Sequence, residues 1–409
     1  MKDKLPFILI VVVLVAYVYA PLTQIGFAKV DDKWMLLDEQ FSIFDWAFLR
    51  NVFSETNSLQ YAPINTLYYY VVYQVNGFDP YYFHLFSLLV HLLNVGLTYI
   101  LVKKLLDIFL VLNAVVVSFA TALVWAILPF NVESVVWISA SKILLYTFWG
   151  NVSFVCFIDA YLKSSKWLYI SSLVAFVLSF LAKEQAVLYP LMMALFVYVY
   201  QLKFYSKSNI KKLVLYTGPV LLLAFVFGLI TAYIAIYGEG FHHVDRYPFS
   251  QRIILAFYCL YFYIFSCFVP INLHYHYPFP MKIGSALPIV YYIFPCLTII
   301  IGWFSYNMIK NNTNKLFYIM CLGIFIINLL LTIQIVPLAR ASMLADRYMY
   351  ISSIGLLLIA LTVLNEKFDL TFKKATTANI TIAICFALYV LALSFYSHNL
   401  VNHWQTMQL

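Results

Sequence analysis

Two adjacent carboxylates, Asp31 and Asp32, follow the first long apolar segment of the sequence by a few residues. Because a nearby negative charge disfavours ionisation, one member of such a pair tends to have a raised pKa, which suits a general base. The alternative is a solvated helix N-terminus, where acidic side chains commonly lie. The spacing alone leaves both interpretations open.

A second polar group, Lys183-Glu184-Gln185, interrupts sequence that is otherwise almost continuously apolar from Trp167 to Gln201. Ionisable groups at membrane depth are energetically costly, so their presence favours a functional site. The Lys183 ammonium could bind a phosphate as a point charge. The alternative is a helical hairpin whose two charged side chains extend to the membrane interface.

Ionisable residues also lie at the ends of other apolar segments. Glu133 and Lys142 flank one break between segments, and Asp346 and Arg347 precede the segment that starts near residue 348. An arginine guanidinium can form two parallel hydrogen bonds with a phosphate or a carboxylate. Interfacial anchoring explains any single one of these residues equally well. As a set, they predict that the loops carry the working surface.

The histidine motifs His242-His243 and His274-Tyr275-His276 could suggest a metal site, with Asp245 as a third ligand. Paired histidines in an aromatic segment are more often hydrogen-bonded surface residues, and the sequence has no His-Glu-x-x-His spacing. We therefore predict no metal-binding residues. His84 and His91 lie seven residues apart on one helical face, which predicts interhelical hydrogen bonds or a polar cleft.

The elements that must position these residues are membrane helices. Of the 409 residues, 64% are hydrophobic and 10% are charged, against about 45–50% and about 25% in a soluble domain. The bilayer must therefore be the solvent for most of the chain. The net charge of +8 does not indicate a nucleic-acid partner, because the lysines fall between apolar segments, where basic residues set topology. The six cysteines show no Cys-x-x-Cys spacing and are expected to be packing residues.

Eleven apolar segments are long enough to cross the bilayer, and the first is expected to be a retained helix rather than a signal peptide. They lie at about 6–26, 82–102, 108–128, 142–160, 166–182, 186–202, 213–236, 286–307, 315–336, 348–364 and 376–397. A twelfth stretch, Gln251 to Pro270, is crowded with tyrosine and phenylalanine, which favours the membrane interface.

Charge supports eleven spans. If Gln251 to Pro270 does not cross, fifteen of the 25 basic residues lie in cytoplasmic segments, all of them lysine, and all five arginines lie outside. A twelfth crossing would break this positive-inside pattern. We therefore predict an all-α polytopic membrane protein, a single domain over 1–409. A large first non-cytoplasmic loop, 27–81, would carry interfacial helices near Trp46–Phe53 and Ile64–Val75, and a second outer region would cover 237–285.

Six motifs, in this order and spread over residues 30–355, give the sequence a resemblance to a known class. They are Val30-Asp31-Asp32, Tyr61-Ala62-Pro63-Ile64, Gly77-Phe78-Asp79-Pro80, Pro129-Phe130-Asn131-Val132-Glu133, Lys183-Glu184-Gln185 and Ala345-Asp346-Arg347-Tyr348-Met349-Tyr350. Together they resemble the GT-C glycosyltransferases, and more closely the transmembrane part of TMTC-type protein O-mannosyltransferases and their bacterial relatives. The tetratricopeptide repeats of that family are absent from this sequence, so we expect acceptor recognition to differ.

The resemblance implies a transferase that moves a sugar, a hexose such as mannose, from a polyprenyl-phosphate donor to a hydroxyl of a protein or glycan acceptor. It implies Asp31 as the catalytic base, with Asp32 as the alternative. Lys183, Arg347 and Lys142 would bind the donor phosphate. Direct attack would invert the anomeric carbon. A divalent metal is compatible with this scheme and is not required by it.

Further residues would support the substrate site under the same resemblance. They are Glu133, Glu184, Gln185, Asp346, Tyr61, Asp79 and His84. The active site would face the non-cytoplasmic side, and the bacterial relatives favour a bacterial inner membrane over the endoplasmic reticulum.

Two rival functions remain open at the level of sequence. A transporter or flippase would use Lys183, Glu184 and the span histidines as an ion or substrate path, and it predicts inverted repeats and Gly/Pro-broken helices, neither of which is clear in the sequence. A transferase that modifies a glycan or a lipopolysaccharide with another sugar is the second rival.

Overall fold

The computed structural model describes residues 5–29, 31–37, 44–54, 61–205, 209–237, 247–335, 342–368 and 376–407, and these residues are mostly helical. Their helices are α1 Leu5–Tyr19, α2 Trp46–Ser54, α3 Pro63–Asn76, α4 Pro80–Ile108, α5 Ala114–Ala126, α6 Phe130–Val136, α7 Ser141–Lys163, α8 Lys166–Ala182, α9 Tyr189–Tyr205, α10 Ile210–Tyr237, α11 Phe249–Phe268, α12 Ile293–Ile309, α13 Lys315–Leu329, α14 Met349–Phe368 and α15 Thr377–His403. Two short strands, β1 Tyr277–Pro278 and β2 Ser342–Leu344, pair antiparallel with Tyr277 opposite Leu344.

The prediction of an all-α polytopic membrane protein is confirmed. Within the described residues, nine helical segments are long and apolar enough to cross a membrane. A tenth crossing results if α5 and α6 form one bent span. The predicted spans at 166–182 and 315–336 correspond to the shorter apolar helices α8 and α13, of 17 and 15 residues. The structure therefore supports nine to ten candidate spans, and the count of eleven stays a prediction.

The axis of the chain bends by 60° between α5 and α6. Pro129 lies in the break and acts as the N-cap of α6. Proline has no amide hydrogen and its ring clashes with the preceding turn, so a helix that reaches it must end or kink. The bend directs α6 into the end of the bundle where α4 begins. All seven residues of α6 are buried there.

The interior of the bundle is joined by polar contacts around His91. Its Nδ1 lies 2.7 Å from the Tyr350 hydroxyl, and its Nε2 lies 3.0 Å from the carbonyl oxygen of Ala126. The indole of Trp125 donates to the Tyr350 carbonyl at 2.7 Å. These contacts join α4, α5 and α14, so the interhelical hydrogen bonds predicted for His91 are confirmed.

Both helices expected in the first loop are present, and their location at the membrane interface stays a prediction. α2 covers the stretch predicted near Trp46–Phe53, and α3 covers the stretch predicted near Ile64–Val75. In α2 only Phe48 is buried, and the indole of Trp46 is 79% exposed. An amphipathic helix with one buried side is suited to the membrane interface.

Helix α11 is the stretch that we predicted to lie at the interface, and by length and composition it could also cross. Its start contacts the loops: Arg252 Nη1 donates to the Ile335 carbonyl at 2.8 Å. Further along, the Tyr263 hydroxyl donates to the Ala345 carbonyl at 3.1 Å. Because both partners lie in the segment between α13 and α14, the two contacts favour a helix near that end of the bundle.

Candidate functional site

The acidic pair lies in a turn after α1, and its two members are in different environments. Asp32 is 1% exposed. Its Oδ2 accepts from the Ala28 amide at 2.8 Å, and its Oδ1 accepts from the amide of Ser139 at 2.9 Å and from the Ser139 hydroxyl. Burial raises the pKa of Asp32 more than these hydrogen bonds lower it, and the neighbouring Asp31 charge adds to the rise. Both oxygens of Asp32 are therefore used to hold the turn.

Asp31 is only partly buried. Its backbone has a φ of 40°, in the left-handed region that few residues other than glycine adopt readily and that aspartate tolerates better than most. Its Oδ1 accepts from the Trp34 indole at 3.1 Å, and its second carboxylate oxygen has no hydrogen-bond partner among the residues that the structure describes. Asp31 is the member of the pair that can reach a ligand.

A small apolar cluster lies beneath the acidic turn. It consists of Leu36, Tyr69, Val72, Phe83 and Ile138, all nearly or fully buried. They come from the turn itself, α3, α4 and the segment after α6, so the cluster fixes the acidic turn against three other parts of the chain. Fixed geometry of this kind is what a positioned base needs.

Ser139 and Lys142 come from the segment between α6 and α7, and both lie beside the acidic turn. The Ser139 contacts with Asp32 are those given above. Lys142 Nζ is 3.9 Å from the sulfur of Met35, four residues after Asp31. The predicted phosphate ligand Lys142 is thus brought to the predicted base, from about 110 residues away in the sequence.

The other end of the same segment carries a buried ion pair. Glu133 bonds to the Arg347 guanidinium, and its Oε2 accepts from the Arg347 amide at 2.7 Å. The guanidinium carbon also lies 5.1 Å from the Trp137 ring centre. The positive charge of Arg347 is therefore already balanced by Glu133. A donor phosphate that bound Arg347 would have to share the guanidinium with the Glu133 carboxylate.

Asp346 is buried beside this pair. Its Oδ1 accepts from the Tyr277 hydroxyl at 2.6 Å. Burial and the Asp346 carboxyl both raise the pKa of the Tyr277 phenol, which therefore remains a donor at neutral pH. Tyr277 lies in β1 opposite Leu344 of β2, two residues before Asp346, so the small sheet holds the two side chains together.

Residues 133–140 join the two halves of the site. Glu133 at one end bonds Arg347, and Ser139 at the other end bonds Asp32. The bend between α5 and α6 places this segment. The structure therefore brings together six of the predicted site residues, which are Asp31, Asp32, Glu133, Lys142, Asp346 and Arg347.

Lys183-Glu184-Gln185 forms the turn between α8 and α9. Lys183 is 2% exposed, and its Nζ is 3.5 Å from Glu184 Oε1. The Ser179 hydroxyl donates to the Tyr146 carbonyl at 2.7 Å, which places the end of α8 beside the first turns of α7. Lys183 and Lys142 are therefore at the same end of the α7–α8 pair.

Of three further predicted support residues, Asp79 and Tyr61 have hydrogen bonds in the structure. Asp79 caps α4, where its Oδ1 accepts from the Tyr81 amide at 3.0 Å. The Tyr61 hydroxyl donates to the Phe53 carbonyl at 3.1 Å. His84 is 1% exposed and neither ring nitrogen has a hydrogen-bond partner in the described structure.

Among the residues that the structure describes, no group of three or more His, Cys, Asp or Glu side chains is arranged to hold a metal ion. The His242-His243 motif and Asp245 lie outside the described residues. His274 and His276 are described, and they line a small cavity with Trp404.

The sequence did not single out Ser139, Tyr277 or Trp137, although each bonds or packs against a predicted site residue. Serine, tyrosine and tryptophan are common at helix ends in membrane proteins, so nothing in their local sequence marked them. Their partners are 69 to 210 residues away, and only folding brings them into contact.

No protein-family model and no curated protein matches the sequence. Solved structures do match. The oligosaccharyltransferase AglB from Archaeoglobus fulgidus, in complex with an inhibitory peptide and a dolichol-phosphate, aligns with a TM-score of 0.54 at 12% identity, over 99% of this chain and 56% of that one. The apo form of the Archaeoglobus fulgidus oligosaccharyltransferase gives 0.51 at 11% identity, over 98% and 56%. ArnT from Cupriavidus metallidurans bound to undecaprenyl phosphate gives 0.46 at 13% identity, over 99% and 78%.

The chain spans little more than half the length of the two oligosaccharyltransferase structures. At identities this low the likeness concerns the fold, and the closer resemblance to TMTC-type enzymes stays a prediction. Helix content, candidate spans and the two oligosaccharyltransferase alignments agree: the chain has the membrane fold of the archaeal oligosaccharyltransferase.

Proposed function

We propose that this protein is a membrane glycosyltransferase that moves a sugar from a polyprenyl-phosphate donor to a hydroxyl acceptor at the end of the bundle where Asp31 lies. The fold is that of lipid-dependent transferases, and the matched AglB structure holds a dolichol-phosphate and a peptide. Fold alone does not define a reaction, so the proposal depends on the residues of the site.

The observation that carries the proposal is the acidic turn. Asp32 accepts hydrogen bonds from Ala28 and Ser139, which holds Asp31 at a fixed position, and one Asp31 oxygen has no hydrogen-bond partner within the described part of the chain. Asp31 is accordingly the base, and Asp32 is a positioning residue. A catalytic base must be both fixed in position and accessible to the substrate, and here one aspartate provides the fixed position while the other remains accessible.

The reaction follows from these positions. The acceptor hydroxyl oxygen forms a bond with the anomeric carbon of the donor sugar, and the hydroxyl proton passes to the Asp31 carboxylate. The bond between the anomeric carbon and the phosphate oxygen breaks, and its electron pair leaves with polyprenyl phosphate. Attack opposite to the leaving group inverts the anomeric carbon.

The leaving phosphate gains negative charge, which a fixed cation can stabilise. Lys142 lies beside the acidic turn, and Lys183 lies at the same end of α7–α8. Arg347 is a weaker candidate for direct contact, since it bonds the buried carboxylate of Glu133, whereas the Glu184 side chain, 3.5 Å from Lys183, is 42% exposed. We propose Lys142 and Lys183 as the main phosphate ligands, with Arg347 holding the cleft together.

Donor binding tests the proposal. Native mass spectrometry of the purified protein should show a bound polyprenyl phosphate or its sugar conjugate. Lys142→Met and Lys183→Met should each reduce the bound fraction about tenfold or more, because losing a charge-assisted contact costs roughly 1.5–3 kcal/mol.

The matched control is Lys282→Met, which removes a lysine from the loop between α11 and α12. It should leave the bound fraction unchanged. A protein that carries no polyprenyl lipid after purification, and that takes up none from added polyprenyl phosphate, would contradict the proposed function.

A further inference from the structure

A small cavity lies where the loop after α11 meets the last turn of α15. Its volume is about 220 Å³, and its polar and aromatic lining consists of His274, Tyr275, His276, His403 and Trp404. The proposed reaction uses none of these residues. The cavity accounts for the His-Tyr-His motif, which the sequence left without a role.

One wall of the cavity is tied to the candidate site through Tyr277, the residue after His276. The Tyr277 hydroxyl accepts from the His274 amide at 2.9 Å and donates to Asp346 Oδ1 at 2.6 Å. Asp346 precedes Arg347 in the buried group that includes Glu133. The segment from His274 to His276 is therefore held at a fixed distance from Asp346, Arg347 and Glu133.

The opposite wall reaches the same group through aromatic ring contacts that are edge-on or tilted. Tyr275 lies 6.3 Å from Trp404, and Trp404 lies 6.1 Å from Trp137, measured between ring centres. Trp137 in turn lies under the Arg347 guanidinium. Two independent sets of contacts thus place the cavity next to residues 133–140, on the Glu133 side.

The lining has the chemistry of a sugar site. Aromatic rings offer apolar faces to the C–H face of a pyranose, and a neutral imidazole offers one donor and one acceptor to hydroxyl groups. Tyr275 is 42% exposed and His276 is partly exposed, so both can contact a ligand. Among the residues that the structure describes, the lining includes no lysine, arginine or carboxylate, which favours an uncharged polyol over an ionic ligand.

The size limits the ligand to a single ring. Pockets for larger organic ligands run from about 300 to 1,000 Å³, and this cavity is smaller. The cavity is also separate from the proposed donor site. The cavity lies near the Glu133 end of residues 133–140, whereas Asp32 and Lys142 lie near the Ser139 end. We propose that the cavity binds one sugar residue of the acceptor, which makes the acceptor a glycan. This inference rests on the proposed function.

Binding of simple glycosides tests the site without any donor lipid. Saturation-transfer NMR with methyl α-mannopyranoside and methyl β-glucopyranoside should show transfer from the wild-type protein to at least one of them. Tyr275→Ala combined with His276→Ala should weaken binding about tenfold or more, as expected from the loss of one stacking and one hydrogen-bonding contact.

His398→Ala is the matched control, because His398 lies on α15 close to His403 but bonds to the Tyr17 carbonyl instead of lining the cavity. It should bind glycosides like the wild type. His403→Gln is a second cavity variant, and it should also weaken binding if the double variant does not fold.

Two results would overturn the inference: no saturation transfer from the wild type to either glycoside, or equal transfer from the wild type and from every folded cavity variant. If polyprenyl phosphate still binds in those cases, the proposed function stands and only the acceptor site is wrong. Glycoside binding without polyprenyl binding would contradict the proposed function and leave the cavity as a sugar site.

Discussion

At the scale of residues, the site depends on two neighbouring aspartates that folding makes unequal. Asp32 is buried and accepts hydrogen bonds from Ala28 and Ser139, whereas Asp31 is partly exposed and bonds Trp34 through one oxygen. The same residue type therefore has two environments, and under the proposed function these environments give the two side chains different roles.

We expect Asp31→Asn to reduce transfer by about 10²–10⁴-fold, because an amide keeps the size of the side chain but cannot accept the hydroxyl proton. Donor binding should persist, since the lysines are unchanged. Turnover would be measured with the donor and acceptor identified by the binding experiments above.

The control is Asp45→Asn, an acidic residue of the same loop whose Oδ1 accepts from the Phe48 amide at the start of α2. It should retain near-normal turnover. If Asp31→Asn also retains near-normal turnover, Asp31 is only part of a helix-opening cluster.

The raised pKa of Asp32 predicts that the stability of the folded protein depends on pH. The Asp32 pKa is raised in the folded protein, so between the ordinary carboxyl value and the raised value the folded state binds more protons than the unfolded state. Stability should therefore fall as pH rises through that interval. Asp32→Asn cannot titrate and should lack this part of the decline, which melting of the detergent-solubilised protein at several pH values would detect. Equal pH profiles for the two proteins would contradict the raised pKa.

At the scale of elements, close helix packing holds the bundle around the site. Gly355 of α14 faces α13 so closely that a Cβ there would overlap the Cys321 carbonyl oxygen and come within 2.8 Å of the Phe325 amide nitrogen. These are backbone atoms, which cannot rotate away. Since α14 begins directly after Asp346 and Arg347, the packing of α13 on α14 also sets the position of those two residues.

Gly355→Ala should destabilise the protein by about 1–3 kcal/mol, the usual cost of overpacking. Gly228→Ala is the matched control, a glycine inside α10 at which a Cβ would meet nothing within 4 Å. It should be neutral or stabilising by up to about 1 kcal/mol, because alanine has the higher helix propensity. Thermal melting of both variants in detergent measures the difference, and equal melting temperatures would show that α13 and α14 can separate at little cost.

At the scale of the whole molecule, the ends of the long helices define one face that carries the site. Gln405, after α15, bonds Gln24 at 3.3 Å, and Tyr277 bonds Asp346. The lysine asymmetry of the sequence predicts that this face is non-cytoplasmic. The turn between α12 and α13, with Lys310, would then face the cytoplasm.

Single cysteines at His276, Gln405 and Asn311 in a cysteine-free background test this topology. An impermeant reagent added from the non-cytoplasmic side should label positions 276 and 405 and leave 311 unlabelled until the membrane is opened. Protection of either 276 or 405 would rule out the arrangement with an interfacial α11. The same assay checks whether α11 crosses, because a crossing would put position 276 on the other side.

The sequence by itself determined the class of protein and the local elements. Overall composition identified the bilayer as the solvent, and the apolar, aromatic composition of two stretches in the first loop predicted α2 and α3, because both signals depend on residues close together in the chain. The cost of ionisable groups next to apolar segments also pointed to Asp31, Asp346 and Arg347 before any contact was known.

Only the tertiary structure decided how those residues are used. Arg347 pairs with Glu133, which is 214 residues away in the sequence. Asp32 accepts hydrogen bonds from Ser139, which is 107 residues away. The tertiary structure also shortened α8 and α13 and bent the chain between α5 and α6. These outcomes depend on which side chains meet after the helices pack, and a hydropathy pattern contains no information on contacts between distant segments. The types of residue in the candidate site could therefore be recognised from short stretches of sequence, but their relative positions depend on the packing of the whole bundle.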